Sequence, residues 1–281
     1  MSFESYMIID HQCYFMLHSK LKSDRPTILF IHGLGDSSIS YQPYLESDLT
    51  HYYNIIVPDL LGNGKSSSAD DYSFQKQVDG IEKHLEYLQE KFQIRFSFLI
   101  LVAHSMGSIH ATLLCASKFK FIINGLINVE GSITQYGSFV CENMINAIPQ
   151  QGFKTWFEDF KQNKIYDHLA YHSIPLRMYY ASLIFCHSQT FLENATEMYN
   201  LSRALPGKYT HLMGQKYIEL SIPKIYCYGD SMCKETLAFL QEHQLESHYF
   251  PCKNHFLLTE CYNEFIIFID DYIKQFMVKN T

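Results

Sequence analysis

The chain has 281 residues, of which 47% are hydrophobic and 18% are charged. This length and composition exclude a largely disordered chain and leave room for one large domain with an insertion or for two smaller domains. The formal net charge is −7 and no long run of Lys or Arg occurs. We therefore expect neither nucleic acid nor an anionic lipid surface as a partner.

The apolar runs are far shorter than the ~20 residues of a membrane-spanning helix, so no integral membrane segment is expected. The first fifteen residues lack a basic segment that leads into a long apolar run, which disfavours a secretory signal. Eight cysteines without regular spacing are typical of free thiols rather than of a disulfide framework. These features predict a cytoplasmic protein, and the oligomeric state stays open.

Short β-rich runs alternate with segments of helical periodicity. The predicted strands are residues 6–9, 13–17, 28–31, 55–57, 98–102, 126–129, 224–228 and 247–250. Apolar residues recur at helical spacing over 78–92, and a second such set begins at Tyr262 and ends at Phe276. The alternation predicts an α/β fold whose central sheet is mostly parallel and flanked by helices, with an antiparallel edge hairpin at the start.

Residues 131–221 carry no clear strand signal and are rich in Tyr, Phe and Met. We predict that they form a helical lid inserted between strands 6 and 7, while 1–130 and 222–281 form the core. In open parallel sheets the ligand site lies beyond the carboxyl ends of the strands. Residues with chemical roles are therefore expected directly after strands.

Aromatic residues recur at helical spacing in the predicted lid. They are Phe153, Trp156, Phe157 and Phe160, followed by Tyr179, Tyr180, Phe185 and Phe191. Such a face packs on the core, lines an apolar acyl pocket, or does both. It favours an uncharged, moderately hydrophobic small molecule as substrate.

Ser105 stands between the apolar strand 98–102 and a segment of helical periodicity. A sharp strand-to-helix turn needs small residues two positions away on either side, and Ala103 and Gly107 meet that need. Such a turn raises the serine hydroxyl above the edge of the sheet, where a base can reach it. The alternative role for Ser105 is that of a helix N-cap.

Two more loops follow predicted strands. The first is His32-Gly33-Leu34-Gly35-Asp36, and the second is PDLLGNGKS at 58–66. The first is a flexible turn that can aim the Leu34 N–H at a developing oxyanion, and the Met106 N–H at the start of the next helix supplies a second donor. His32, Gly33 and His104 are expected to shape this site.

Together with Ser105, these loops resemble the α/β-hydrolase superfamily, whose members carry HG after strand 3 and a PDLxGxGxS-like loop after strand 4. The resemblance covers essentially the whole chain and implies a serine hydrolase, whose reaction requires no cofactor. No paired CxxC or HExxH motif occurs in the sequence, so no metal is expected. One departure is Ala103, where most members have glycine. The resemblance is not specific for the substrate.

The family's base lies in the loop after the last strand, and His255 follows the predicted strand 247–250. Histidine titrates near working pH, and the order serine, acid, histidine is kept. His104 and His110 are alternatives, although the turn should point the side chain of His104 away from Ser105.

The acid has two candidates. In the commonest family pattern it lies beyond the glycine that ends strand 7, here Gly229, but Met232 occupies the expected position and leaves only Asp230. A subset of the family, including some haloalkane dehalogenases and related luciferases, places the acid at the end of strand 6, where Glu130 stands. We favour Glu130 as the partner of His255 and keep Asp230 as the alternative. The alternative, non-catalytic role is a salt bridge into the lid for Glu130 and a helix N-cap for Asp230.

The resemblance thus implies cleavage of an ester, thioester or related acyl bond through an acyl-enzyme. Two alternatives stay open: a lyase or carbon–carbon bond hydrolase on the same residues, and a non-catalytic receptor that keeps the fold. Family members that open epoxides or remove halides use an aspartate nucleophile, and Ser105 argues against both of those chemistries.

Overall fold

A computed structural model describes residues 2–23 and 25–279, and these form an eight-stranded sheet in the order β1-β2-β4-β3-β5-β6-β7-β8. The strands are β1 (Phe3–Ile9), β2 (Gln12–His18), β3 (Thr27–Ile31), β4 (Asn54–Asp59), β5 (Leu99–His104), β6 (Ile123–Val129), β7 (Lys224–Tyr228) and β8 (Ser247–Tyr249). Strand β2 pairs antiparallel with β1 and with β4, and all other pairs are parallel. The predicted mostly parallel sheet is confirmed.

The predicted edge hairpin is formed by β1 and β2, which are joined by a two-residue turn at Asp10 and His11. Both residues have positive φ, 49° and 66°. Two consecutive left-handed residues are the signature of a type I′ turn, whose twist matches that of the flanking strands.

Helices cover both faces of the sheet. They are α1 (Gln42–Glu46), α2 (Leu49–Tyr52), α3 (Phe74–Phe92), α4 (Gly107–Leu114), α5 (Phe139–Gln151), α6 (Phe153–Asp159), a π-helix (Phe160–Ala170), α7 (Leu176–Phe185), α8 (Ser188–Ser202), α9 (Leu212–Glu219), α10 (Lys234–Glu242), α11 (Leu257–Glu260) and α12 (Tyr262–Lys279). No helix within the described ranges combines the length and the apolar run that crossing a bilayer requires.

The central strands are buried on both sides because successive side chains point to opposite faces. In β3, Ile28 and Phe30 join the core beneath α12, whereas Leu29 and Ile31 join the core beneath α3 and α4. The predicted helical pattern at the C-terminus forms α12, although the side chain of Phe276 lies outside the described residues.

Between β6 and β7 the chain forms helices and no strand within the described residues. Ser182 of α7 lies 2.7 Å, oxygen to oxygen, from Ser37 in the loop after β3, which ties this insertion to the carboxyl edge of the sheet. Most of its aromatic residues are buried or half-buried, but Phe185 is 73% exposed and neither joins the core nor lines the cavity near Ser105. The expectation for Phe185 was wrong because helical spacing alone does not show where α7 ends.

Candidate active site

Ser105 lies in the sharp turn between β5 and α4, with a left-handed φ of 51°. A Cβ atom on Gly107 would lie 2.3 Å from the Ile31 carbonyl oxygen, so only glycine fits beside the neighbouring strand. The Ser105 N–H donates to the Val129 carbonyl at 3.0 Å. A strained conformation of this kind persists only where the surroundings hold it. The turn therefore fixes Ser105 at the carboxyl edge of the sheet.

Glu130 and His255 form a close pair at the same edge. The His255 Nδ1–H donates to Glu130 Oε2 at 2.6 Å, and only 2% of the Glu130 side chain is exposed. Glu130 also has a left-handed φ of 46°, directly after β6. With the proton held on Nδ1, the Nε2 atom of His255 is left as a hydrogen-bond acceptor. This is the protonation pattern that a general base needs.

The loop after β7 holds Glu130 in place. The Gly229 N–H donates to Glu130 Oε1 at 2.8 Å, and the Ser231 hydroxyl lies 3.4 Å from Oε2. A buried carboxylate is costly unless its oxygens are hydrogen-bonded. Sequence reasoning did not identify these donors, because nothing in the order of residues shows which loop faces Glu130.

Asp230, the alternative acid, makes its hydrogen bonds to groups other than His255. Its carboxylate accepts a hydrogen bond from the exposed Tyr249 hydroxyl at 2.5 Å, and its N–H donates to the Cys252 carbonyl at 2.8 Å. Of the two predicted acids, Glu130 is the one that the structure brings to the histidine.

The alternative histidines are buried. His104 Nε2–H donates to the His255 carbonyl at 2.9 Å, and His110 Nδ1–H donates to the Met106 carbonyl at 3.3 Å. Burial lowers the pKa of each imidazole to about 3, and the nearby His255 adds to the effect on His104. Both are poor proton acceptors at neutral pH. His104 instead helps to hold the loop that carries His255.

The predicted oxyanion donors both lie at the edge of the sheet. Neither the Leu34 N–H nor the Met106 N–H donates a hydrogen bond to another group in the part of the chain that the structure describes. The Leu60 N–H donates to His32 Nε2 at 3.0 Å, so His32 Nδ1–H donates to the Gly33 carbonyl at 2.8 Å. His32 thus joins the loop that carries Leu34 to the loop after β4.

Asp36 is a buried carboxyl group at the end of the loop that carries Leu34, and no role was predicted for it from the sequence. It accepts hydrogen bonds from the Ser37 N–H at 2.8 Å and from the Ser40 hydroxyl at 2.5 Å. Burial, reinforced by the nearby Asp59 charge, raises its pKa to about 7. The sequence signal was an acidic residue followed by the serine-rich stretch 37–40.

We expect Asp36 to make the protein less stable as the pH rises. Its folded pKa of about 7 exceeds the ordinary value of 3.8, so its contribution is full below pH ~4 and is lost as the pH rises through 7. The Asp36→Asn variant lacks this titration. Between pH 5 and pH 8 the wild type should lose about 2 kcal/mol more unfolding free energy than the variant, as measured by urea denaturation at each pH. Parallel pH curves for the two proteins would contradict this expectation.

A cavity of about 410 Å³ opens above Ser105 and His255. Its walls are mostly apolar and come largely from the β6–β7 insertion. They include Val140, Cys141, Trp156, Phe160, Ile165, Leu169, Tyr179, Phe191 and Met198. Asn143, Asp159, Lys164 and Lys253 add polar groups to the lining. Ser105, His255 and Leu34 line the same space, so a bound molecule can contact all three.

The chain is similar in sequence to proteins from several bacteria. An uncharacterised protein of Mycobacterium tuberculosis is 30% identical over 118 residues, which are 41% of this chain and 32% of that protein. An epoxide hydrolase of Caballeronia sordidicola is 27% identical over 140 residues, 49% of this chain and 41% of that protein. The matches thus span less than half the length of these relatives.

Solved structures resemble the whole chain. A carboxylesterase of Nitrososphaera gargenis has a TM-score of 0.72 at 14% identity and covers 98% of this chain and 100% of its own. The enol-lactonase of Burkholderia xenovorans has a TM-score of 0.74 at 11% identity, with 96% and 100% covered. At these identities the likeness shows the fold alone.

A family model described as alpha/beta hydrolase fold matches residues 26–231. This region runs from just before β3 to the loop after β7 and includes Ser105 and Glu130. Since it spans well over half of the sequence, the chain belongs to the α/β hydrolase fold family.

Proposed function

We propose that the protein is a serine hydrolase that cleaves an ester, thioester or related acyl bond of a small, moderately hydrophobic substrate. The observation that carries this proposal is the 2.6 Å contact between His255 Nδ1 and the buried Glu130 carboxylate, beneath a cavity that also contains Ser105. Solved structures with this fold include a carboxylesterase, a thioesterase domain and an enol-lactonase, so the fold is compatible with acyl chemistry.

In the first half of the reaction, His255 Nε2 takes the hydroxyl proton of Ser105 as Oγ forms a bond to the acyl carbon. The carbonyl oxygen becomes an oxyanion that the Leu34 and Met106 amides stabilise. Glu130 stabilises the imidazolium that results. The tetrahedral intermediate collapses, His255 returns its proton to the leaving group, and the acyl chain stays on Ser105.

In the second half, His255 takes a proton from water while the water oxygen attacks the acyl carbon. Collapse of the new intermediate breaks the bond to Ser105 Oγ and returns the proton to the serine. The products are the free acid and the alcohol or thiol, so atoms and charge balance without a cofactor.

The eight free cysteines support a reducing, cytoplasmic location.

The epoxide hydrolase relative raises a competing chemistry. Opening an epoxide in this family uses an aspartate nucleophile, whereas a serine occupies that place here. Acyl transfer is therefore the reaction we favour.

The proposal is tested with 4-nitrophenyl esters and acyl thioesters of graded chain length. We expect steady turnover, with a rapid first release of nitrophenol equal to the enzyme concentration if deacylation is slower than acylation. A protein that binds such compounds and releases no product would be a receptor, and product other than the free acid would indicate a lyase.

A further inference from the structure

The π-helix that follows α6 lies over the candidate active site. In a π-helix each N–H bonds to the carbonyl five residues earlier, and π-helices are usually a single turn found at functional sites. Here it covers eleven residues, Phe160–Ala170, and the Tyr171 N–H donates to the Tyr166 carbonyl at 2.8 Å in the same pattern. Over eleven residues, a π-helix places a different set of side chains on one face than an α-helix would.

The cavity-lining residues of this helix are Phe160, Lys164, Ile165 and Leu169. In an α-helix, nine residues make about two and a half turns, so Leu169 would lie opposite Phe160. With i→i+5 bonds, nine residues make about two turns, and both side chains face the cavity. In the α-helical arrangement His168, eight residues beyond Phe160, would be nearer to the cavity than Leu169.

Burial agrees with the π-helical arrangement. Phe160 and Ile165 are 8% and 6% exposed, and Leu169 packs against the same core. His168, one residue before Leu169, is exposed. This part of the cavity wall is therefore built from side chains whose position depends on the π-helix.

We propose that this register makes Ile165 and Leu169 the residues that set the length of the acyl chain. At about 30 Å³ per water-sized group, the 410 Å³ cavity holds roughly a dozen non-hydrogen atoms. The substrate class is thus an acyl group of about six to ten carbons. This inference rests on the proposed function and deepens it.

The test compares two neighbouring substitutions, Leu169→Trp and His168→Trp, with 4-nitrophenyl acetate, octanoate and palmitate. Octanoate should be the best substrate of the wild type. Leu169→Trp should lower the ratio of kcat/KM for octanoate over acetate at least tenfold, whereas His168→Trp should change it less than twofold. The reverse order, an equal effect or no effect of either substitution would overturn the proposal.

Folding and function are checked separately. If Leu169→Trp loses its thermal unfolding transition, Leu169→Ala replaces it and should shift the preference towards palmitate; an unshifted preference would overturn the proposal. If the wild type hydrolyses no ester, the proposed function fails. Displacement of 8-anilinonaphthalene-1-sulfonate by octanoic acid in the same variants then tests the pocket, and weaker displacement in His168→Trp than in Leu169→Trp would overturn the inference.

Discussion

Replacing Ser105 by alanine is expected to lower kcat/KM for an activated ester by roughly 10⁴-fold or more. The variant keeps the cavity and the Glu130–His255 pair, but it lacks the oxygen that forms the acyl-enzyme. Residual turnover would come from binding and the oxyanion donors alone. Initial rates over a range of substrate concentrations measure the effect.

Ser108→Ala is the matched control for this substitution. Ser108 lies three residues further on, in α4, and its buried hydroxyl has no hydrogen-bond partner within the described ranges. We expect its turnover to stay within about threefold of the wild type, since no group loses a hydrogen-bond partner. Ser105→Ala turnover above a tenth of the wild-type value would rule out Ser105 as the nucleophile.

Glu130→Gln is expected to lower kcat by roughly 10³- to 10⁴-fold. A glutamine is neutral and does not stabilise the imidazolium of His255. Its amide group can also donate to Nδ1, which would place the proton on Nε2 and leave no acceptor for the Ser105 hydroxyl. The loss should appear in kcat more than in KM, because Glu130 is not among the residues that line the cavity.

Asp230→Asn removes the exposed carboxylate of the alternative candidate for the acid. Because Asp230 contacts Tyr249 rather than His255, kcat should change less than threefold. If Asp230→Asn lost turnover while Glu130→Gln stayed near normal, the acid would be Asp230 and the assignment of Glu130 would be wrong.

The order of strands and helices could be predicted from the sequence because it depends on local patterns. Buried parallel strands such as β3 and β5 are continuous apolar runs, and the amphipathic α3 shows a clear 3.6-residue period. The need for a small residue at Gly107 was predicted from the sharpness of the local turn. The atoms that exclude a side chain there, those of Ile31 and His32 at the end of the adjacent strand, could not be identified from local sequence.

The choice between Glu130 and Asp230 depended on tertiary structure. Both follow strands at the same edge, and only the packing of the β7 loop against β6 decides which one reaches His255. That packing turns Gly229 and Ser231 into donors for Glu130. The loop after β7 carries the acid in the commonest family pattern. In this protein the same loop supplies hydrogen-bond donors to the carboxylate that follows β6.

The π-helix was not predicted, because only Phe160 among its apolar residues was assigned to a helical face, and with a period of 3.6. Trp156 and Phe160 fit that period within α6 and at its end, but Leu169 does not. The buried Asp36 was also assigned no role, since burial of a loop residue depends on α7 covering it. Both features involve the β6–β7 insertion, where local sequence carries the least information about contacts.

Mass spectrometry after treatment with a fluorophosphonate tests whether Ser105 is the nucleophile. We expect one phosphonyl adduct per chain in the wild type, on the tryptic peptide that contains Ser105, and none in Ser105→Ala. Glu130→Gln should label far more slowly, because its histidine is a weaker base. An unlabelled wild type, or an adduct that persists in Ser105→Ala, would show that Ser105 is not the nucleophile.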